Sequence, residues 1–530
     1  MLTRRSLLAT PALAVPGCSF LGALPGTLSG ADMARGHLLR TPFAAGTPAE
    51  TRRTKIAIIG GGIAGLSAAF TLAEAGHRDF RLFELEDSAG GNSRAGRNAV
   101  SAYPLGAHYL PIPNPESSGV RHFLERIGTI TGWQGGKPVF DPYQIVADPE
   151  ERILHLGRWQ EGLIPAIVPD ADRADLAAFF AAMDRFRDHK TSDGRRAFAI
   201  PMDLSSRDPD LRALDALSFT AWLDARGWST PTLRAHLRYC TRDEYGTEPG
   251  EVSAWAGIHY FAARRGEAAN CAGDAVLTWP AGNGYLAAAM ARRVAGHIEP
   301  GIVVAAVRTS GDGAQIDALD VANRRRIRIL ADAAIIALPR FVAAHVVAGA
   351  SAKGFGYSPW VVANVTADRL PAGQGAKLAW DNVSATSDSL GYVVATHQGL
   401  AAVPGPTVLT WYTALSDMTP ATARTLMTDR PLADWQRIVH DDLMAMNPDL
   451  AGAIRRIDVW RWGHAMVRPV PGFFFGGARE NAAKSAPPLF NAHSDLSGLS
   501  IFEEAHFRGS TAAEAAMTHL GFAHVSVHTA

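Results

Sequence analysis

The chain's clearest pattern is an unbroken apolar run, Ile56–Ile59, followed by Gly60-Gly61-Gly62 and then by small and apolar residues as far as Ala75. A short apolar run closed by glycine predicts a strand buried on both faces, as in a parallel sheet. The following stretch predicts a helix with Gly76 as its C-terminal stop. A second apolar run, Phe80–Leu85, predicts the next strand, and "RADLAAFFAAMDRFRDH" (173–189) predicts an amphipathic helix. Ahead of all these, Leu7–Val15 is apolar but broken by Pro11 and too short to span a bilayer. Residues to about Arg53 are rich in Gly, Ala, Pro and Thr without periodicity, as in a linker, so the fold is expected to start near Lys55.

Gly60, Gly62 and Gly65 fit G-x-G-x-x-G between strand and helix. In that pattern the first glycine permits the tight turn, the second lets backbone approach a pyrophosphate, and the third lets the helix pack on the strand. Ile63 and Ala64 open the helix, whose N–H groups and dipole would face phosphate. Glu84, near the end of the second apolar run, stands where the acid that bonds a ribose hydroxyl is expected. A carboxylate there would repel a 2′-phosphate, which argues against NADP.

At 530 residues and 47% hydrophobic, the chain has enough length for two domains or one large composite. Lys+Arg and Asp+Glu both total 51, which gives no electrostatic case for nucleic acid or an anionic membrane surface. The three cysteines, Cys18, Cys240 and Cys271, form no metal or disulfide pattern; two separate thiols at 240 and 271 are expected, with a bridge as the alternative. No metal site is expected. Arg4-Arg5 ahead of the short apolar run reads as a twin-arginine export signal over residues 1–30, with a linker over 31–53 and a periplasmic destination. Val15-Pro16-Gly17-Cys18 is a poor lipoprotein box, so a lipid anchor at Cys18 is the minor alternative.

Further motifs follow in order. "LEDSAGGNSRAG" places Gly91, Asn92 and Ser93 just beyond Glu84. "YPLGAHYLP" holds Gly106, Ala107 and His108. "WPAGNGYLAAAMARRV", "GIVVAAVRTSGDGAQI" with Val304, and "ADAAIIALP" come next, and "LFNAHSDLSGLSIFEEAHFRGSTAAEAA" closes the chain with Asp495, Ser500 and Ile501. Together they resemble the flavin-containing amine oxidase superfamily, which includes monoamine, polyamine and L-amino-acid oxidases, protoporphyrinogen oxidase and phytoene desaturase. The closing motif departs from the family's usual Phe-Ala-Gly-Glu, so Asp495 stands as the acid there with its alignment open. The resemblance implies an α/β fold: a Rossmann-type FAD-binding domain from residues 54–115, 275–345 and 460–525, and a mixed α+β substrate domain from 116–274 and 346–459. It also implies that Val304 holds adenine through its backbone and that Gly106 and Ala107 give room for the flavin ring.

For chemistry the resemblance points to Lys377, one of six lysines, as a flavin-linked cation. Trp462 and His464 are expected beside the ring, and His108 and His493 as titratable groups near it, able to act as base at their ordinary pKa near 6.5. Tyr245, Trp255, His259 and Tyr260 are candidates for pocket walls or core, and His397 for pocket or strand end. No cysteine follows Cys271, so FAD is expected to be noncovalent. The resulting expectation is an exported FAD-dependent oxidoreductase that takes a hydride from a small-molecule C–H next to nitrogen, with oxygen or a quinone as acceptor. The alternatives are a desaturase-like enzyme acting on carbon–carbon bonds and a flavin-binding protein without turnover.

Overall fold

The structure, a computed structural model, describes residues 24–40, 47–400 and 404–528. Arg4-Arg5 and Cys18 lie outside the described residues.

The apolar run after the linker forms the middle of the first sheet. Glu50–Ile59 pairs in parallel with Phe80–Phe83 on one side and with Arg325–Ile336 on the other; Ile298–Glu299 and Leu489–Asn491 extend this parallel core outward. Helix Ile63–Glu74 makes the crossover between the first two strands, and Gly76, at φ +85°, ends it. An antiparallel hairpin, Ile302–Ser310 with Gly313–Asp320, attaches to the first half of Arg325–Ile336. One face of the sheet is covered by the hairpin's apolar side chains, including Val304 and Ile316. The other is covered by helices Ile63–Glu74, Gly284–Arg293 and Phe502–His519.

Two glycines set the spacing on that second face. A Cβ at Gly65 would lie 1.9 Å from the Gly60 carbonyl oxygen, and a Cβ at Gly509 would lie 2.0 Å from the Ala64 carbonyl oxygen. The closing helix therefore rests directly on the backbone of the crossover helix.

The second sheet is larger and mixed. Its order is Leu28–Gly30, Ile454–Val467, Tyr357–Ala367, Thr407–Ala414, Tyr392–Val394, Asp381–Ser384, Glu151–His155, Arg158–Glu161. Alternation along Tyr357–Ala367 decides its two faces. Val361, Ala363 and Val365 pack under helices Pro420–Asp429 and Leu432–Met446 through Met427, Trp435, Val439 and Leu443. Trp360 and Val362 point the other way, with Tyr412 and Trp462 from the neighbouring strands. A helical group, Asp170–Asp188, Phe219–Asp224, Pro231–Tyr245 and Ala254–Ala262, has its own aromatic core.

Several expected boundaries differ. Residues 24–30, expected within the leader, belong to the fold: Leu28–Gly30 pairs in parallel with Val459–Arg461, and Ile457 and Val459 donate to the Pro25 and Thr27 carbonyls. The first strand of the crossover begins at Glu50, inside the expected linker, and Met33–His37 is helical. A domain boundary at 460 would cut the strand Ile454–Val467, which lies whole in the second sheet. These pairings are long-range, and local composition carries no trace of them.

Gly509→Ala is expected to lower stability by about 1–3 kcal/mol through overpacking, read as a fall in Tm. Gly296→Ala, whose Cβ would meet nothing within 4 Å, is expected to leave Tm unchanged.

Candidate functional site

The glycine turn is built by three different absences of a side chain. Gly60 holds φ +100°, and a Cβ there would lie 2.4 Å from the Ala337 carbonyl oxygen. Gly65 is needed for the contact described above. Gly62 differs: its backbone is extended, it carries no side-chain cap for the helix, and its Cβ would meet nothing nearer than the Gly91 Cα at 4.0 Å. The open space of the turn is therefore at Gly62, beside the unpaired N–H groups of the first helical turn at Ile63 and Ala64. Glu84 reaches back to this turn. Its two oxygens accept from Gly61 N–H at 2.6 Å and Glu86 N–H at 2.8 Å, and burial raises its pKa. A carboxylate with two such bonds keeps further lone pairs for a sugar hydroxyl.

From Gly91 the chain crosses to the second sheet. Gly91–Ser93 is a short 3₁₀ turn; Asn92 Nδ2 donates to the Ala465 carbonyl at 2.6 Å. Trp462 Nε1 donates to the Leu105 carbonyl at 2.6 Å, and Asn364 Nδ2 to the Pro104 carbonyl at 3.1 Å. These bonds hold residues 92–109 against the second sheet and border a cavity between them. Its cofactor-side lining includes Asn92, Gly106, Ala107, His108, Ser500 and Ile501; its floor is Trp360, Val362, Thr410, Tyr412 and Trp462. Ser500 Oγ accepts from Val467 N–H at 2.9 Å, which fixes the start of helix Phe502–His519 at the cavity edge.

The remaining wall is charged. Asp243 and Glu244 come from the last turn of helix Pro231–Tyr245, Glu503 from the first turn of the closing helix, and Arg264 from the segment after helix Ala254–Ala262. Arg264 Nη2 lies 3.1 and 3.2 Å from the two Glu244 oxygens, and Nη1 lies 3.8 Å from Glu503. Burial alone would lower the Arg264 pKa; Glu244 and Glu503 outweigh it and hold the guanidinium charged. Asp243 is pushed up to about 7 by burial and then by repulsion from Glu244 and Glu151.

Of the residues singled out from the sequence, Asn92, Gly106, Ala107, His108, Trp462, Ser500 and Ile501 meet at this cavity. Ser93 is buried beside it, and Val304 sits at a bulge of the hairpin strand packed against Phe83, at the Glu84 end of the sheet.

Others are elsewhere. Lys377 is exposed on the loop before Asp381 and does not line the cavity. His464, on an outward-facing position of its strand, stacks on Phe341 at 4.2 Å. His493 lies 3.1 Å from Asp495, away from the cavity lining. Asp495 is spent internally: it accepts from Tyr357 Oη at 2.6 Å and Arg340 N–H at 2.7 Å. Burial would raise its pKa, but His493 and these donors outweigh it and keep the carboxylate below its usual range. Tyr245, Trp255 and His259 are core, His259 bonding the Ala199 carbonyl at 3.0 Å, and Tyr260 packs against that core. His397 bonds the Ala147 carbonyl outside the cavity. His108 is in place but unsuited as a base, because burial pushes its pKa down to about 4. Its Nδ1 faces the Gly106 carbonyl at 3.3 Å, so the neutral ring keeps its lone pair on Nε2. Cys240 and Cys271 are separate thiols.

Asp243, Glu244, Arg264, Asn283, Glu503, Trp360 and Tyr412 were missed. The stretch around residues 240–260 is dense in charge and aromatics, yet its sequence does not say which of them turn inward.

Residues 58–127 match the NAD(P)-binding Rossmann-like domain family. A stretch of 82 residues is 39% identical to tryptophan 2-monooxygenase of Pantoea agglomerans pv. gypsophilae, spanning 14% of this chain and 14% of that relative. Putrescine oxidase bound to putrescine superposes with a TM-score of 0.64, covering 88% of this chain and 100% of that chain at 14% identity. The fold is that of putrescine oxidase. Cyclohexylamine oxidase from Brevibacterium oxydans IH-35A gives 0.61 over 88% of this chain and 99% of that chain at 16% identity. A CLA-producing fatty acid isomerase from P. acnes gives 0.59 over 88% and 98%, also at 16% identity. The shared architecture thus serves more than one chemistry, and the residues of the cavity must choose.

Folded Asp243 holds its proton to about pH 7, whereas an unfolded aspartate releases it near 3.9, so its contribution to stability is lost as pH rises through about 7. Tm is expected to fall more steeply between roughly pH 4 and 7 in the wild type than in Asp243→Asn, the two curves running parallel at higher pH; parallel curves across the lower range would contradict the assignment.

Proposed function

We propose that the chain is an FAD-dependent oxidoreductase that oxidises the carbon next to an amino nitrogen. The observation that carries this reading is a pair of features joined by the short segment Gly91-Asn92: a glycine turn open only at Gly62, where a Cβ would meet nothing nearer than the Gly91 Cα, and a cavity lined by Asn92, with aromatic rings on one side and carboxylates on the other. The residues fit the cofactor. The turn offers N–H groups to a diphosphate, Glu84 offers lone pairs to a ribose, and Asn283 Oδ1, buried at the cavity wall with no hydrogen-bond donor, is an acceptor ready for a ligand N–H.

When bound, FAD supplies the two-electron acceptor. The chain's own residues do the rest. Trp360, Tyr412 and Trp462 form a rigid, dry floor that excludes water and confines the substrate carbon. Neutral His108 offers Nε2 as a hydrogen-bond acceptor beside the same floor. FAD bound there would accept the hydride of that carbon, and the C=N⁺ bond left by the nitrogen lone pair would be hydrolysed by water to a carbonyl product and an ammonium ion. The wall of Asp243, Glu244 and Glu503 favours a substrate that arrives as a cation and disfavours the apolar alkene of a desaturase.

We read the attachment as noncovalent, since Cys240 and Cys271 line no part of the cavity. We also infer export of the folded holoenzyme by the twin-arginine route, with oxygen or a quinone as final acceptor; Arg4-Arg5 and the apolar run behind it support this. No helix among the described residues is long and apolar enough to cross a membrane.

The purified protein is expected to absorb near ~450 nm, as oxidised flavins do, and to bleach when mixed anaerobically with amines. Gly62→Ala adds a methyl group without meeting protein atoms and is expected to keep its Tm while weakening cofactor binding by about tenfold or more, about 1.4 kcal/mol. An unchanged affinity in that variant would place the cofactor elsewhere.

A further inference from the structure

The acidic wall and the proposed chemistry make opposite demands. Asp243, Glu244 and Glu503 draw in an ammonium, the form that aliphatic amines take at neutral pH. Oxidation at carbon needs the neutral amine, because the nitrogen lone pair must be free to close the C=N⁺ bond. One proton therefore has to leave the nitrogen inside the cavity, and a group at the wall has to take it.

Few groups there are able to. Glu244 is bound through both oxygens to Arg264 Nη2, and Glu503 stands 3.8 Å from Nη1 of the same guanidinium. His108 has a free lone pair, but burial pushes its pKa down to about 4, so it does not keep a proton at neutral pH. Asn283 Oδ1 accepts a hydrogen bond and not a proton. Asp243 differs from all of these. It lines the cavity, takes part in no ion pair among the described residues, and meets the Tyr109 hydroxyl at the same wall. Burial, Glu244 and Glu151 push it up to about 7 against the opposing pull of Arg264, which poises it between its two protonation states at neutral pH. Its other titratable neighbours, Tyr260 and Cys240, are held neutral by burial.

A proton left on Asp243 is not stranded. The same helix carries Tyr239, whose hydroxyl donates to Asp381 Oδ2 at 3.2 Å and is in hydrogen-bond contact with the Tyr412 hydroxyl of the cavity floor. Asp381 Oδ1 is buried with no hydrogen-bond partner, and Glu151 and Asp243 add to the burial that raises the pKa of this carboxyl. Asp381 stands opposite Glu151 on neighbouring parallel strands. Glu150, the next residue, is pushed up to about 8 by burial and then by Glu151, Asp274 and Asp148. Asp148 and Asp274 are exposed. Carboxyls that hold protons thus run from the cavity wall to the surface, and among the described residues no group of acids is placed to hold a metal ion instead.

We propose, resting on the amine-oxidation reading above, that Asp243 is the base of the reaction. Its carboxylate takes the proton of the bound ammonium, the N–H bond breaking as the O–H bond forms, and the neutral amine then gives up a hydride from the adjacent carbon to the bound flavin. Each turnover releases that one proton, which Asp243 passes to the carboxyls behind it. Asp243 acts before the C–H bond breaks.

The test uses the purified holoenzyme and anaerobic flavin bleaching by n-pentylamine, benzylamine and cyclohexylamine, with the fastest of them followed across pH. In the wild type the second-order rate constant of bleaching is expected to rise to about pH 7 and then level off, since Asp243 is by then ionised and the ammonium is the form consumed. In Asp243→Asn only amine that arrives neutral reacts. There the constant is expected to climb about tenfold per pH unit toward the amine's own pKa near ~10, on the order of 10²–10³-fold below wild type at neutral pH and converging with it in alkali. Asp243→Glu is expected to restore the plateau. A merely structural role would lower the Asn variant alike at every pH, and such parallel profiles overturn the proposal while leaving the amine reading standing. A wild-type profile that itself climbs to the amine's pKa does the same, and decides without the variant should Asp243→Asn fail to fold. Absence of bleaching by all three amines overturns both.

Discussion

The backbone of Gly509 touches the backbone of Ala64, and the rest of the site depends on that contact. Two helices more than four hundred residues apart in the chain can approach this closely only where neither carries a side chain between them. The approach brings the start of the closing helix, Ser500–Glu503, to the same cavity as Gly106–Tyr109. Gly60 and Gly65 serve the same close packing within the first crossover. Of these three only Gly62 leaves its missing side chain as free volume, the room that the proposed diphosphate would take.

The second constraint is alternation on the larger sheet. Val361, Ala363 and Val365 are committed to the covering helices, which turns Trp360 and Val362 toward the cavity. Hydrogen bonds from Trp462 to Leu105 and from Asn92 to Ala465 then fix the distance between the two sheets. Into this space the helical group delivers the end of Pro231–Tyr245 with Asp243 and Glu244. Burying them costs stability, and the Arg264–Glu244 pair offsets only part of that cost. Charge retained at such a cost in an enclosed wall is an argument for recognition rather than for folding.

What could be read from the sequence follows from how local each signal is. The Gly60–Gly65 turn, Glu84 and the crossover helix were legible because glycine spacing and apolar runs act within a few residues. Asn92, Gly106–His108, Trp462 and Ser500–Ile501 were legible by resemblance, because the chain's path past the cavity is fixed at those points. Asp243, Glu244 and Arg264 were not, since which helix face turns inward is decided by packing against distant strands. Lys377 and Asp495 misled for the same reason: the loop of Lys377 faces outward, and Asp495 is consumed by Tyr357 and Arg340. The strand Leu28–Gly30 was hidden among linker-like residues because its partner lies more than four hundred residues away.

The central claim is that three distant segments of one chain close around a flavin dinucleotide. Mass analysis of what the purified protein releases on denaturation tests this most directly. The account expects one FAD per chain, freed into solution without any covalent remnant on the polypeptide. Release of a nicotinamide dinucleotide, or of no nucleotide from protein that is folded and pure, would contradict it.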